Sequence, residues 1–288
     1  MYLGAHVSSA GGIQLSPERA ANLGCEVFQT FTRSPQGGAA PKLMPEILEQ
    51  FKQKMRKLKL RAHYIHTPYY INFASANNRI RYGSISVIRD ELERGSTLGS
   101  QYVMTHLGSA KDVGPKKGVA MAIDGLTKVL KDYRGTTDLL IEITAGSGEI
   151  LGDTFEEVSE IIEGTEKKLQ RRNILNVCFD TQHAFASGYD IRTPAALKET
   201  LKKFDNTIGL ARLKMSHCND SKVELGARVD RHANLGQGKL GLAAFAAIVK
   251  EPKFKNVPLV LETPRDDQGT EIIQELKLLK KFRGSQKK

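Results

Sequence analysis

Residues 138–146 read DLLIEITAG. Leu139, Leu140, Ile141 and Ile143 make this run apolar on both faces of a strand, because successive side chains point in opposite directions. Such a strand is buried on both sides, as in a parallel sheet covered by helices. Seven further β-rich runs recur: YLGAHV (2–7), CEVFQTF (25–31), RAHYIHT (61–67), YVMTHLG (102–108), ILNVCFDT (174–181), LARLKMSH (210–217) and VPLVLETP (257–264). Between them lie segments with apolar residues three and four apart, including 45–60, 86–99, 119–133 and 194–204. Ser16-Pro17 and Thr193-Pro194 each place a capping hydroxyl before a Pro at a first helical position, and Asp153-Thr154-Phe155-Glu156 has the spacing of a capping box. Eight strand–helix units predict one closed (β/α)8 TIM barrel over residues 1–288, ending in a short basic tail at about 280–288. An open, doubly wound sheet is the alternative. No G-x-G-x-x-G follows the first run and no G-x-x-x-x-G-K-[ST] occurs, so its nucleotide-binding forms lose their main support.

In 288 residues, 43 Lys and Arg stand against 32 Asp and Glu, a net charge of +11. An excess of this sign favours a polyanionic partner such as nucleic acid, with a merely solvated basic surface as the alternative. The cations cluster at Lys52–Lys59, at Lys167, Lys168, Arg171 and Arg172, and from Lys277 to Lys288, where some belong to solvated helix faces. Cys25, Cys178 and Cys218 form no C-x-x-C pair and are an odd number, which supports neither a disulfide framework nor a zinc ribbon. With no basic, apolar leader at the N-terminus and no apolar run of membrane-spanning length, the expectation is a soluble cytoplasmic protein without a membrane partner.

In a barrel of this kind chemistry gathers at the C-terminal ends of the strands. Those ends are ionisable here: His6, His66, His106, Glu142, Asp180, His217 and Glu262 stand at or near the ends of seven of the eight runs. No histidine falls in a predicted helix; His63 lies on the third run, His183 just past the sixth, and His232 in the loop after the seventh. A lone carboxylate buried among Leu139, Leu140, Ile141 and Ile143 is costly unless paired or bound to a metal. A single strand-end His is ordinarily a hydrogen-bonded core residue, but six or more on one rim favour a metal site. Imidazole and carboxylate donors suit zinc, with manganese or iron as rivals. Asp230 and His232, two apart in VDRHANLGQG (229–238), can grip one ion from an extended segment. Cys178 and Cys218 read more simply as small buried residues.

At these residues the chain resembles the endonuclease IV family of zinc-dependent apurinic/apyrimidinic endonucleases. The matching stretches run nearly end to end: GAHVSSAGG (4–12), HTPYYIN (66–72), HLGS (106–109), EITAGSG (142–148), FDTQHAFASGYD (179–190), HCNDSK (217–222), GARVDRHANLGQG (226–238) and LVLETP (259–264). The resemblance implies a TIM barrel with three zinc ions, manganese or iron being possible at one site. It assigns His66, His106 and a bridging Glu142 to a first ion, Glu142, Asp180, His217 and Glu262 to a second, and His183, Asp230 and His232 to a third. The activity implied is cleavage of duplex DNA on the 5′ side of an abasic site by a hydroxide held between metals, leaving a 3′-hydroxyl and a 5′-deoxyribose phosphate, by a chain expected to be monomeric.

Tyr69 and Tyr70 stand where members of the family insert side chains into the DNA stack, the alternative being ordinary core packing of a loop. Arg231 and Lys222 are expected phosphate contacts. After FTRSP the family continues with Arg and, two residues on, Trp, whereas Gln36-Gly37-Gly38 follows here, so Gln36 is left as the DNA-facing residue of that loop. Ile143 and Gln182 also depart from the family's pattern without removing a ligand. Two competing functions are a two-metal sugar isomerase or epimerase, which gives His183, Asp230 and His232 no task, and a damage binder that has lost cleavage.

Overall fold

Asp138–Glu142 is one strand of a closed barrel in the computed structural model, which describes residues 1–284. The strands β1 (Leu3–His6), β2 (Val27–Thr30), β3 (His63–His66), β4 (Tyr102–Thr105), β5 (Asp138–Glu142), β6 (Leu175–Cys178) and β7 (Leu213–His217) pair in sequence. After a two-stranded hairpin of β8 (Asp220–Ser221) and β9 (His232–Ala233), β10 (Leu259–Leu261) closes the ring between β7 and β1. All barrel pairings are parallel. The helices are α1 (Ser16–Leu23), α2 (Pro45–Lys57), α3 (Asn78–Leu98), α4 (Pro115–Leu130), α5 (Phe155–Leu169), α6 (Thr181–Ala186), α7 (Pro194–Thr207), α8 (Gly241–Lys250) and α9 (Thr270–Gly284). Among the described residues no helix is long and apolar enough to cross a membrane.

The strands separate two cores, as alternating side-chain direction requires. Leu139 and Ile141 of β5 face outward into the layer shared with the helices, while Leu140 joins Val27, Tyr64, Met104, Cys178, Met215 and Val260 inside the barrel. The ring is tight. At Gly4 a Cβ would lie 1.8 Å from the Val27 carbonyl oxygen, so only glycine lets β1 approach β2 there.

Each predicted strand is present but shorter than its run, and Leu210–Arg212 is a 3-10 turn leading into β7. The helix starts need three corrections. Thr193 does cap α7 through its bond from the Ala196 amide, but Ser16 is the first residue of α1 rather than its cap, and its hydroxyl donates to the Ser8 carbonyl. At α5 the cap is Thr154, which accepts from the Glu157 amide, and Asp153 instead pairs with Arg228. His183, expected just past the sixth run and outside any helix, lies in the first turn of α6 because the Asp180 carboxylate caps that helix, its Oδ1 accepting from the His183 amide at 2.8 Å. The first part of the predicted basic tail belongs to α9, where Lys280 donates to the Gly24 carbonyl and Arg283 pairs with Glu26; residues 285–288 lie outside the described residues.

Candidate metal centre

One step of two residues builds the site. Along each strand the inward side chain after the apolar layer is polar: Tyr64 is followed by His66, Met104 by His106, Leu140 by Glu142, Cys178 by Asp180, Met215 by His217 and Val260 by Glu262. The same step from Val27 reaches Gln29, fully buried and unnoticed in the sequence reading. His63, by contrast, is an outward residue of β3, its ring between Phe28 and Phe51, so it takes no part in the rim.

Glu142 stands at the middle of this layer with no exposed surface. Its Oε2 lies 3.2 Å from His106 Nε2 and 3.9 Å from His66 Nε2, and its Oε1 lies 2.7 Å from His217 Nδ1. Yet no hydrogen bond reaches the buried Oε2. A buried carboxylate oxygen left this way costs about 1–3 kcal/mol or more, a cost that a cation would remove. His66, His106 and Glu142 bring ligand atoms within 4.8 Å of one another, and so do Glu142, Asp180, His217 and Glu262. These are the first two expected ligand sets.

The residues of the third expected set also lie together. His183 Nε2 lies 3.3 Å from Asp230 Oδ2 and 3.4 Å from His232 Nε2, and His232 Nε2 lies 3.4 Å from Asp230 Oδ1, so the three converge. Asp180 also reaches this group, its Oδ2 being 3.8 Å from His232 Nε2 and 3.8 Å from His217 Nδ1. It thus stands between the second and third sets.

Backbone carbonyls hold several rings so that one nitrogen is left for an ion. His66 Nδ1 bonds to the Thr67 carbonyl, His183 Nδ1 to the Ile143 carbonyl at 3.1 Å, and His232 Nδ1 to the Glu262 carbonyl at 3.3 Å. Each leaves Nε2 facing the cluster. His217 is reversed: its Nε2 donates to Gln29 Oε1 at 3.0 Å and its Nδ1 faces the carboxylates. Gln29 also donates to Glu262 Oε1 at 2.7 Å, and Asn219 donates to Asp180 Oδ2 at 2.7 Å while accepting from the Glu262 amide. Sequence reasoning missed both orienting amides, although the two-residue step marks Gln29.

The electrostatics are those of a closely packed set of acids and bases. Burial would raise the Glu142 carboxyl, but His217 and His106 beside it hold it well below the usual carboxylate range. Burial would lower His183, yet Asp180, Asp230 and Glu142 raise it well above an ordinary imidazole. His66, where burial outweighs Glu262 and Glu142, is pushed down to about 4 and stays a neutral donor. Burial pushes the Cys178 thiol up to about 11, consistent with an apolar role beneath the site.

Asp220 explains how the long loop after β7 reaches the rim. Its buried carboxylate accepts from the amides of Gly236, Gly238 and Leu240 at 2.8, 3.1 and 2.9 Å, folding 218–241 around itself. The β8–β9 hairpin then carries Asp230 and His232 inward, and its Lys222 amide donates to the Arg231 carbonyl, which sets two exposed cations side by side. Tyr69 is 68 % exposed with its ring edge-on to Phe31 and His66, and Tyr70 is 38 % exposed, so neither is a core residue. Gln36 is exposed in the loop whose Pro35 carbonyl accepts from the Tyr69 amide. A cavity of about 540 Å³ opens over His66, His106, His183, Asp230, His232 and Glu262.

A closed barrel whose lumen ends in this layer of imidazoles and carboxylates defines the class, a xylose isomerase-like TIM barrel; the family model of that description matches residues 17–282. A probable endonuclease 4 of Nitrosopumilus maritimus is 39 % identical over 269 residues, 93 % of this chain and 95 % of that protein. One from Chloroflexus aurantiacus is 36 % identical over 278 residues, 96 % of each. The crystal structure of endonuclease IV from Thermus thermophilus superposes with a TM-score of 0.86 at 32 % identity, covering 99 % of this chain and all of that one. The chain belongs to the endonuclease IV family.

Proposed function

We propose that this enzyme hydrolyses the phosphodiester bond 5′ to an abasic site in duplex DNA, leaving a 3′-hydroxyl and a 5′-deoxyribose phosphate, with three zinc ions as its cofactor. The observation that carries this reading is the buried Glu142 Oε2, unbonded at the meeting point of His66, His106 and the Asp180–His217–Glu262 set. His183, Asp230 and His232 would hold a third ion, a task that a two-metal sugar isomerase leaves unfilled. Zinc bound by these ligands would supply Lewis acidity toward the phosphate and make water acidic enough to deprotonate near neutral pH.

The chain's own residues do the rest. Glu142 bridges two ligand sets and fixes their separation, while Gln29 and the backbone carbonyls orient the imidazoles. Tyr69 and Tyr70 offer exposed rings beside the cavity for stacking against bases that flank the lesion. An abasic nucleotide has no base to unpair, so its extrusion into the cavity costs less than that of an intact one, which favours damage over normal DNA. Arg231 and Lys222, adjacent on the hairpin, and the exposed Gln36 would contact the DNA backbone. The test is incubation with a duplex carrying one tetrahydrofuran abasic analogue, with and without chelator. Incision 5′ to the analogue that chelator abolishes is expected; no such incision would refute the reading.

A further inference from the structure

Part of the positive charge of this chain lies away from the candidate centre. In a parallel barrel the helix C-termini and the loops that lead back into the strands lie at the end opposite the rim that carries the site. On that far end the loop after α4 carries Lys131 and Arg134, the loop after α5 carries Arg171 and Arg172, and the turn after α8 carries Lys253 and Lys255. All six are exposed. The elements are consecutive around the barrel, since α5 packs against both α4 and α7, and α7 against α8.

Favourable placement of cations at the negative ends of helices accounts for Lys128, Lys167, Lys168 and Lys250 in the last turns of their helices. It extends to Lys131, the C-cap of α4, but not to Arg134, Arg171, Arg172, Lys253 and Lys255, which lie beyond the caps, because the dipole's influence fades within the last turn. Among the described residues Lys131, Arg134, Arg171, Arg172, Lys253 and Lys255 make no ion pair with a carboxylate. Arg212, in contrast, is neutralised by a two-pronged pair with Glu166 at 2.8 and 2.9 Å. Arg171, Arg172, Lys167 and Arg212 line a surface cavity of about 770 Å³ together with the carboxylates Glu163 and Glu166, the latter already paired with Arg212. Gln170 and Asn173, on either side of Arg171-Arg172, hold left-handed φ angles of 52° and 59°, which are unusual for residues other than glycine. This turn presents two adjacent guanidinium groups that are left without carboxylate partners.

We propose that this far end is a second, lesion-independent binding surface for the phosphate backbone of a DNA duplex, so that one molecule can hold an undamaged segment while its rim is free for another. An extended arc of unpaired cations matches a partner with a charge about every 1.7 Å, and suits it better than a single small anion. The proposal shares its class of partner with the function proposed above but needs no cleavage, and its test uses intact DNA.

The comparison is between Arg171→Gln/Arg172→Gln and Lys198→Gln/Lys202→Gln, which lose equal charge, the second pair from the middle of α7. Binding of undamaged duplex is measured against salt by fluorescence anisotropy, with two differently labelled duplexes mixed to detect bridging by energy transfer. The arginine variant is expected to lower the salt slope by roughly two units, from about 0.9 per phosphate contact, and to lose bridging, while the lysine variant keeps both. Unchanged melting temperature and unchanged incision of a short abasic duplex show that the rim is intact. Equal slopes for the two variants, or bridging that survives in the arginine variant, would overturn the proposal. So would a marked preference of the wild type, lost in the arginine variant, for phosphatidylglycerol vesicles over duplex.

Discussion

His217 Nε2 donates to Gln29 Oε1 at 3.0 Å, and this bond turns the other ring nitrogen of His217 toward Glu142, Asp180 and Glu262. The amide comes from β2, on the far side of β1 and β10 from β7, so the contact spans the lumen. Gln29→Leu keeps the volume but leaves His217 and Glu262 without their partner. Metal affinity measured by competition with a chromogenic chelator, or incision, is expected to fall by roughly 10–100-fold, the usual effect of removing an orienting partner. Wild-type metal affinity together with wild-type incision in a folded Gln29→Leu protein would show that the ring is held by its carboxylates alone.

Glu142→Gln tests the bridge. The amide is isosteric but carries no charge, and it places an NH2 among the imidazoles where a second carboxylate oxygen now stands. Incision is expected to fall by at least roughly 10³-fold, equivalent to about 4 kcal/mol of transition-state stabilisation. Affinity for an abasic duplex should stay within a few-fold, since the proposed phosphate contacts, Arg231 and Lys222, lie outside the Glu142 cluster. Incision near the wild-type rate would remove Glu142 from the centre.

The barrel was legible because its strands are apolar on both faces and repeat eight times, a pattern that side-chain alternation alone translates into a covered parallel sheet. The ligands were legible for the converse reason: Glu142 and Asp180 interrupt apolar runs where an unpaired charge is costly. Helix starts were less so, because Ser16 and Asp153 have alternative partners, the Ser8 carbonyl and Arg228, that a local pattern does not show. His183 falls outside every predicted helix because a six-residue helix is too short to show a period. Gln29 was overlooked because an amide carries no charge to draw attention, although burial makes its bonds as consequential as an ion pair.

Removal of metal should destabilise the fold as well as stop incision. Glu142, Asp180 and Glu262 are then left close together, relieved only by the histidines among them. Bound ions stabilise the native state by mass action, about 4 kcal/mol for one site at 1,000 times its Kd. Chelator-treated protein is expected to melt several degrees lower, with zinc restoring both melting temperature and incision. A melting curve that chelator and zinc leave unchanged would place the bound ions outside this cluster.

Tyr69→Ala separates DNA contact from folding. The ring is 68 % exposed, so its loss should leave the melting temperature within about a degree, as surface substitutions generally cost within about 0.5 kcal/mol. Affinity for abasic duplex should weaken by about 1–3 kcal/mol if a base stacks on it. Unchanged affinity, read by anisotropy in the presence of chelator, would remove Tyr69 from the interface.

His63 predicts a pH dependence independent of the centre. Its Nε2 bonds to Thr30 Oγ1 at 2.9 Å and its Nδ1 to Ser100 Oγ at 2.7 Å, deep in the layer between barrel and helices. Burial, aided by His6, pushes the imidazole down to about 3, against 6.5 for an ordinary histidine. Above pH 6.5 neither the folded nor the unfolded chain protonates it, and its contribution is complete. As pH falls below 6.5 the unfolded chain takes up a proton that the folded one refuses, and stability declines by about 1.4 kcal/mol per pH unit until about pH 3. His63→Leu removes that slope but leaves the Thr30 and Ser100 hydroxyls without their partner, a cost of about 1–3 kcal/mol. Urea unfolding should therefore find the variant weaker at pH 7.5 and the gap closing toward pH 5, because only the wild type loses stability through this residue. A gap that stays constant over that range would mean that His63 titrates alike in both states and is not held neutral by burial.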